Sequence, residues 1–366
     1  MKTIGIDARL YFQTGVGVYV RNLLYELQQL PQNDVQFYVY ILEEDKHRVT
    51  MSNPQFILKT VTERWHTLAE QATFLYKLYR DDLDLMHFTY FSHPILYRRK
   101  FVSTIHDVTL LLTKTGSAST HHPLLYQIKH QAFVRALKHQ VMSSTSIITP
   151  TRTVKQQIIS LFGGRHESKI VPIYEGIDRE FVHAKENIQL KHTLPERYLL
   201  YVGNFYPHKN IERFIDAFSS VKGDVSLVLV GPHNYFFERI QKDIDRRGLS
   251  NRAVLFPNAT NSDLAYMYRH AVCYVQPSLS EGFGLPVIEA MHFGCPVVVS
   301  SIPVFKEIAP QATMFDPHDT ADMQRTIQKV VNSPHAIHHI TLPEEFSFKR
   351  MAEQTQEVYK RALSNL

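Results

Sequence analysis

One stretch limits the fold of this chain more than any other, because it joins a strand to a helix through a tight glycine turn. The apolar run Val272–Val275 predicts a strand. The turn Glu281–Pro286 contains two glycines and a proline suited to the first turn of a helix, which Gly294 ends. Strands and helices alternate in both halves of the chain, which predicts parallel sheets with helices on both faces.

The same turn favours binding of an anionic ligand. A strand, a glycine turn and a helix point backbone N–H groups and the positive helix end at one place, which suits a phosphate. Glu281 and Glu289 stand eight positions apart around this turn and would repel a phosphate unless they accept hydrogen bonds from sugar hydroxyls. We therefore predict a nucleotide-sugar site. The alternative is a solvated loop acid and a helix-surface acid.

The amino-acid sequence of this region resembles a known signature. Ser280–Pro286, followed by Glu289–Met291 and Gly294–Val298, is similar to the Glu-x7-Glu motif of retaining glycosyltransferases of family four. The resemblance implies the GT-B fold, an α/β architecture of two facing Rossmann-like domains with parallel sheets. It also implies transfer of a sugar from a nucleoside diphosphate sugar with retained anomeric configuration and without a metal.

Length and composition agree with a two-domain enzyme. The chain has 366 residues, of which 44% are hydrophobic and 20% charged, as in globular proteins. Its only cysteines, Cys273 and Cys295, lie in apolar segments, which indicates buried thiols in a reducing compartment. No apolar run reaches the roughly 18–20 residues of a membrane span, and the chain opens on a predicted strand, so we expect a cytoplasmic protein.

The basic excess lies in the first half. Residues 1–180 hold 21 Lys and Arg against 16 Asp and Glu, whereas residues 181–366 hold 19 of each. Residues 123–141 predict a basic, amphipathic helix in which Lys129, Arg135 and Lys138 alternate with apolar residues, which are Leu125, Ile128, Phe133 and Leu137. Such a helix either binds an anionic membrane surface or packs on a sheet with a solvated face. The basic residues show no aromatic interleaving that would indicate nucleic acid.

The resemblance also implies a division of the chain. We expect residues 1–178 to form an N-terminal acceptor domain and 179–196 a linker. Residues 197–345 should form the nucleotide-sugar domain, and a helix within 346–366 should cross back to the first domain.

In the first half, glycines and a histidine follow predicted strands. Gly15 and Gly17 come after the first strand and open a helix, and the resemblance implies that they approach the sugar and diphosphate. His106 and Asp107 follow another strand at the edge where ligands bind in open α/β sheets. The alternative for this pair is a core histidine and a helix cap. The resemblance places His106 near the transferred sugar as a catalytic residue.

In the second half, Lys209 lies at a strand-to-helix turn. A lysine at such a turn can bind a diphosphate as a point charge. The alternative, which the residue taken by itself favours, is a surface lysine without a binding role. The resemblance makes Lys209 catalytic and places Gly203 and Asn204 at the donor. Asn204 and His208 depart from the family pattern, which often has arginines or other cations at these positions.

The remaining assignments concern the signature itself. The resemblance implies that Glu281 is catalytic and holds hydroxyls of the donor sugar, and that Glu289 holds the ribose. Four further residues are expected to bind the donor, partly through backbone N–H groups: Gly282, Phe283, Gly284 and Leu285. Residues 258–264 are predicted to form a loop against the nucleobase.

Two other functions compete with retaining transfer. An inverting transferase of the same fold would use Asp7 or His106 as its base, and a non-catalytic protein would only bind the nucleotide sugar. The donor is expected to be a GDP- or UDP-sugar carrying mannose or a similar hexose, with no cofactor. The acceptor is expected to be a glycan or a lipid-linked saccharide, at the inner face of the membrane if the protein binds a bilayer.

Overall fold

The chain was analysed as a computed structural model, which describes residues 1–13, 15–32, 34–112, 123–332 and 342–364. It divides into two compact units. Unit 1 holds the chain up to Leu111, the segment that ends at Gly176 and the residues from Glu345 onward. Unit 2 holds Ile177–Glu344.

The described part of unit 1 contains a parallel sheet of seven strands. They are β1 (Lys2–Asp7), β2 (Val35–Leu42), β3 (Phe56–Val61), β4 (Leu85–Phe88), β5 (Phe101–Thr104), β6 (Ser146–Thr149) and β7 (Ile170–Pro172). Their order is β3-β2-β1-β4-β5-β6-β7, so the direction of winding reverses between β1 and β4. Ligands of such sheets bind beyond the carboxyl ends of the strands at this reversal.

Helices cover the sheet of unit 1. They are α1 (Val16–Gln29), α2 (Leu75–Arg80), α3 (Thr109–Leu112), α4 (Pro123–Ser143) and α5 (Arg152–Phe162). In α1, Val20, Leu23 and Leu27 recur at three-to-four spacing and are fully buried on the sheet. In α4, Leu137 and Val141 are buried against β6 residues, whereas Arg135 and Lys138 are exposed. The side chains of Leu125, Ile128 and Lys129 lie outside the described residues.

The described part of unit 2 contains a second parallel sheet, of six strands. They are β8 (Tyr198–Val202), β9 (Ser226–Gly231), β10 (Ala253–Pro257), β11 (Cys273–Gln276), β12 (Val297–Ser300) and β13 (Thr313–Phe315). Their order is β10-β9-β8-β11-β12-β13, so this sheet reverses between β8 and β11.

The helices of unit 2 begin with a short segment after the domain boundary. They are α6 (Arg179–Val182), α7 (Ile211–Ser219), α8 (Tyr235–Arg246), α9 (Asn261–His270), α10 (Leu285–His292), α11 (Pro303–Ile308) and α12 (Thr320–Asn332). The expected linker at 179–196 is folded into this unit, since it contains α6 and the 3₁₀ helix Ile188–His192. In the described residues, no helix is long and apolar enough to cross a bilayer.

One sequence prediction in unit 2 is wrong. Residues 258–264 were expected to form a loop, but α9 begins at Asn261. Thr260 and Asp263 form a capping box, in which each side chain bonds the other residue's backbone N–H. This local pairing ends the loop three residues after it starts.

The last helix, α13 (Phe348–Ser364), packs in unit 1. Phe348, Met351 and Tyr359 are buried in the same core as α1. The Tyr359 hydroxyl lies 2.6 Å from Nδ1 of His87 in β4, so a buried hydrogen bond joins this helix to the sheet. Its residues are therefore an integral part of unit 1 although they follow unit 2 in sequence.

Candidate active site

The carboxyl edge of the second sheet brings two predicted site residues together. Lys209 ends the 3₁₀ turn Pro207–Lys209 that follows β8, and Glu281 lies in the turn that follows β11. Since β8 and β11 are neighbours at the reversal of the sheet, these two turns lie side by side.

Lys209 and Glu281 form an ion pair. Nζ of Lys209 lies 2.7 Å from Oε1 and 2.8 Å from Oε2 of Glu281. The two side chains are only 15% and 10% exposed. Burial alone would raise the pKa of Glu281, but the charge and hydrogen bonds of Lys209 and the hydroxyl of Ser278 lower it below its usual value. Glu281 is therefore ionised near neutral pH, and its carboxylate oxygens act as hydrogen-bond acceptors.

Two residues that the sequence analysis missed complete the environment of Glu281. Nε2 of Gln276 donates to Oε1 of Glu281 at 2.9 Å, and Oγ of Ser278 donates to the same oxygen at 2.7 Å. The amide oxygen of Gln276 accepts in turn from the Tyr274 hydroxyl. All three are buried. The sequence could have indicated Gln276 and Ser278, because they are polar residues at the carboxyl end of a buried strand, where ligands bind in such sheets.

Asn210 fixes the turn that carries Lys209. Its backbone adopts a left-handed conformation, with φ of 61°, which asparagine tolerates better than most residues. Its Nδ2 donates to the carbonyl oxygens of Pro277 at 3.1 Å and Pro317 at 2.9 Å. One buried amide thus ties together the loops that follow β8, β11 and β13. The sequence analysis gave Asn210 no role.

The helix after Glu281 begins as predicted. Gly284 is the N-cap of α10, with φ of 103° and without a side-chain hydrogen bond to the first turn. A Cβ at Gly284 would lie 2.9 Å from the Phe305 ring, so both backbone angle and space favour glycine. Phe283 is buried, and Leu285 and Pro286 form the first turn. The uncapped positive end of α10 suits an anionic group.

Glu289 lies one turn inside α10 and is held by a different partner. The Tyr268 hydroxyl of α9 donates to its Oε2 at 3.0 Å. Burial raises the pKa of Glu289 to about 7, the Tyr268 hydrogen bond opposes this, and the charge of Asp178 adds to it. Glu281 and Glu289 therefore differ in protonation near neutral pH. The sequence analysis did not identify Tyr268.

Gly203 and Asn204 shape the loop after β8. Gly203 has φ of 150°, and a Cβ there would lie 2.9 Å from the Tyr201 hydroxyl. That hydroxyl donates to the backbone oxygen of Asn204 at 2.7 Å. The Asn204 side chain accepts from the backbone of Tyr206 at 3.4 Å. In this structure the polar groups of Asn204 thus bond within the loop.

In unit 1, Gly15 and Gly17 lie at the start of α1. Gly15 is the N-cap, with φ of 64° and open space around its Cβ position. A Cβ at Gly17 would lie 2.6 Å from the backbone oxygen of Tyr11, so this position requires glycine. Thr14, which precedes Gly15 in the motif, lies outside the described residues. The loop follows β1, at the reversal of the first sheet.

His106 follows β5 of unit 1 and has both ring nitrogens engaged. Nδ1 lies 3.2 Å from Oε1 of Glu175, and Nε2 lies 2.9 Å from the backbone oxygen of Thr89. Burial lowers the pKa of His106, but the hydrogen bond and charge of Glu175 outweigh it, and the pKa is raised above its usual value. Glu175 was known from the sequence only as part of a domain junction.

The neighbouring acids have structural partners. Asp107 Oδ1 accepts from the backbone N–H of Thr109 at 2.8 Å, which is the capping role that the sequence analysis named as the alternative. Asp7 is buried and accepts from Nε and Nη2 of Arg9, at 2.8 and 2.7 Å. Arg9 also bonds Glu70 at 2.7 Å. Asp7 is thus committed to an ion pair that the sequence analysis did not foresee.

The structure therefore divides the predicted site residues between the units. Gly15, Gly17 and His106 belong to unit 1, whereas Lys209, Glu281 and Glu289 belong to unit 2. A cation, two carboxylates and an uncapped helix start at the reversal of a parallel sheet define a protein of the nucleotide-binding α/β class.

Comparison with family models identifies the family within this class. Residues 13–181 match the model described as Glycosyltransferase Family 4, and residues 183–346 match Glycosyl transferases group 1. The two matches together take in most of the chain. The chain belongs to the family-four, group 1 glycosyltransferases, as the resemblance in its sequence indicated.

Curated relatives carry related names. The chain is 30% identical over 240 residues to the O-antigen chain mannosyltransferase RfbU of Salmonella typhimurium, which is 64% of this chain and 65% of that protein. It is 28% identical over 287 residues to the serotype-specific mannosyltransferase WbdA of Escherichia coli, which is 73% of this chain and 34% of that protein. The chain thus spans less than two thirds of either relative.

Solved structures confirm the fold class. Sucrose-phosphate synthase from Thermosynechococcus elongatus matches with a TM-score of 0.78 at 19% identity, over 100% of both chains. Anabaena HepE in complex with UDP and glucose matches with a TM-score of 0.75 at 15% identity, over 99% of this chain and 100% of that one. The predicted GT-B architecture with its parallel sheets is therefore correct.

The Lys209–Glu281 pair yields a prediction about stability. Lys209→Met leaves the buried Glu281 carboxylate without its cation, which should lower the free energy of unfolding by about 3 kcal/mol. The double variant Lys209→Met with Glu281→Gln should recover part of this loss. Urea unfolding of both variants measures these changes.

The control for this experiment is Lys242→Met, which removes the same charge from an exposed position on α8. It should change stability by less than about 0.5 kcal/mol. Equal stabilities of the Lys209 and Lys242 variants would contradict a buried ion pair at Glu281.

Glu289 yields a prediction about pH. Its pKa is about 7 in the folded protein against an ordinary 4.5, so the unfolded chain ionises first as the pH rises. Below pH 4.5 Glu289 is protonated in both the folded and the unfolded protein, so it does not change the free energy of unfolding. Between pH 4.5 and about 7 it lowers the free energy of unfolding increasingly, and above about pH 7 the full loss is present.

Glu289→Gln should accordingly raise the free energy of unfolding at pH 8 by about 1–3 kcal/mol, and much less at pH 5. Thermal unfolding at both pH values measures the difference. Glu196→Gln, at an exposed position outside the site, should show no such dependence. A Glu289 variant that is no more stable than wild type at pH 8 would contradict the raised pKa.

Proposed function

We propose that the protein transfers mannose, or a similar hexose, from a GDP- or UDP-linked donor to a saccharide or lipid-linked acceptor in glycan assembly. The Lys209–Glu281 pair at the reversal of the second sheet carries this proposal, since it sets a cation and a hydroxyl acceptor side by side. The mannosyltransferase names of RfbU and WbdA support the choice of sugar. The complex of HepE with UDP and glucose supports a nucleotide-sugar donor.

Each residue has a proposed role at the donor. Lys209 and the start of α10 stabilise the leaving diphosphate, which is the charge that a metal would otherwise compensate. Glu281 accepts hydrogen bonds from sugar hydroxyls, and Glu289 accepts from the ribose. The backbones of Gly203 and Asn204 and of 282–285 line the donor, and Gly15 and Gly17 let the loop of unit 1 approach it.

The proposed stereochemistry is retention without a metal. The acceptor attacks on the face that the leaving group departs from, and a donor phosphate oxygen takes the acceptor's proton. Inverting transfer needs a protein base, and its two candidates are occupied. Asp7 is bonded to Arg9, and both nitrogens of His106 face hydrogen-bond acceptors. These contacts favour retention over the inverting alternative.

The first experiment combines donor binding with product analysis. GDP-mannose is expected to raise the melting temperature more than UDP-glucose, because a ligand at a hundredfold its Kd stabilises the folded state by about 2.7 kcal/mol. With a mannosylated acceptor, NMR should show an α-linked product from the α-linked donor. The rate should persist in EDTA and fall at least about a hundredfold in Lys209→Met.

The control Lys242→Met should keep the wild-type rate. A β-linked product would overturn retention and leave sugar transfer intact. Binding of the donor without any transfer or hydrolysis would favour a nucleotide-sugar binding protein, and a larger shift with UDP-sugars would reassign the donor.

The proposal places the protein in the cytoplasm, with reversible binding to the inner face of the membrane. Leu137 and Val141 of α4 pack in the core of unit 1, whereas Arg135, Lys138 and Met142 are exposed. We therefore expect bilayer contact through the described residues of this helix to be chiefly electrostatic.

Sedimentation with liposomes tests this. Anionic vesicles should retain more protein than neutral ones at low salt, and 0.5 M salt should abolish the difference. The variant Arg135→Gln with Lys138→Gln should bind more weakly than the control Lys242→Gln. Equal recovery with neutral and anionic vesicles would refute membrane binding.

A further inference from the structure

The surroundings of His106 limit what its ring can do. Its two nitrogens face the Glu175 carboxyl at 3.2 Å and the Thr89 carbonyl at 2.9 Å. A carbonyl oxygen only accepts, so Nε2 carries a proton. If Nδ1 were unprotonated, its lone pair would face the oxygens of an ionised Glu175. The contact is therefore favourable only when a proton lies between the two groups.

That proton belongs on the imidazole. An unperturbed imidazole binds a proton about 100-fold more tightly than an unperturbed glutamate does. Asp107 supports the positive form of the ring, since it adds a negative charge from the same loop. The Tyr19 ring of α1 packs against the imidazole at a centroid distance of 4.8 Å.

The imidazole of His87 in β4 does not compete with His106 for charge. Burial lowers the pKa of His87 to about 3, and the charge of His106 lowers it further, so His87 is neutral at pH 7. Its Nε2 and the Tyr19 hydroxyl both bond Oγ1 of Thr104, at 2.8 and 2.9 Å. The charges that face His106 are therefore the two acids, Glu175 and Asp107.

The backbone beside Glu175 is rigidly placed. A Cβ on the next residue, Gly176, would collide with the backbone of Ser347 and Phe348, where α13 begins. Glu175 itself is buried, and its side chain is 6% exposed. The carboxyl is thus held in position by the close contact between the end of the second segment of unit 1, at Gly176, and the start of α13.

We propose that Glu175 is a positioning residue that holds His106 as an imidazolium, so that the ring acts on the donor only by donating a hydrogen bond. This rests on the proposed function and on the expectation from the family resemblance that His106 lies near the transferred sugar. With Nδ1–H bound to Glu175, Nε2–H exchanges the Thr89 carbonyl for a sugar or phosphate oxygen. No lone pair remains to take a proton from an acceptor.

The first test is NMR of the ring nitrogens of wild-type protein without substrate. The ring of His106 should titrate above the usual value of 6.5, so at pH 6.5 the doubly protonated form should predominate. His106→Gln identifies the signal. A ring that titrates at or below 6.5 overturns the proposal.

The second test is Glu175→Gln, with Glu180→Gln as the matched control. Glu180 lies five residues further on, in an exposed position, so its variant removes the same charge near the same junction. In Glu175→Gln the titration of His106 should move to lower pH. At pH 7 its kcat/KM should fall below that of wild type, and the pH above which kcat/KM declines should move down together with the titration of His106.

The control should match wild type in both measurements. A loss in Glu175→Gln that is equal at pH 6 and pH 8, with an unchanged His106 titration, overturns the proposal. The NMR result is independent of catalysis. A doubly protonated ring in a protein that transfers no sugar would uphold the assignment of the proton and refute the proposed function.

Discussion

The ion pair between Lys209 and Glu281 is the interaction on which the candidate site depends. Removing two charges from water costs several kcal/mol per ion, and their attraction offsets this only when further hydrogen bonds satisfy the remaining groups. Gln276 and Ser278 supply such bonds to Glu281. Asn210 fixes the turn of Lys209 by bonding the two neighbouring loops. The pair is thus the centre of a buried polar network.

In unit 1, buried charges near the carboxyl ends of the strands are also paired with opposite charges. Asp7 and Glu70 neutralise the buried Arg9, and Glu175 neutralises His106. Burial would lower the pKa of Arg9, but the two carboxylates raise it, so the guanidinium stays charged. These pairings commit Asp7 to Arg9 and Nδ1 of His106 to Glu175. The buried charges at this edge of the sheet are thus paired with charges of opposite sign.

The strand and helix pattern was largely predictable because it is local. The apolar periodicity of α1 and the glycines of the β11–α10 turn each act through neighbours in sequence. Where the prediction failed, at residues 258–264, the deciding signal was also local, namely the capping box of Thr260 and Asp263. The polar composition of residues 179–196 indicated a linker. In the structure, buried contacts such as Phe181 against Phe293 fold this segment into unit 2.

Contacts between residues distant in sequence could not be predicted. Nothing in a single sequence indicates that Tyr268 donates to Glu289, or that Glu175 contacts His106, which lies 69 positions earlier. For the same reason the pairing of Lys209 with Glu281 was not predicted.

The sequence by itself determined the two α/β halves and the residue types at the glycine turns, since these follow from periodicity and from the backbone angles that tight turns require, and its resemblance to a known motif indicated the family. The tertiary structure alone decided which side chains share a proton or a charge. Such pairing depends on distances of about 3 Å and on exclusion of water, and both arise only when separate strands end at one edge of a sheet.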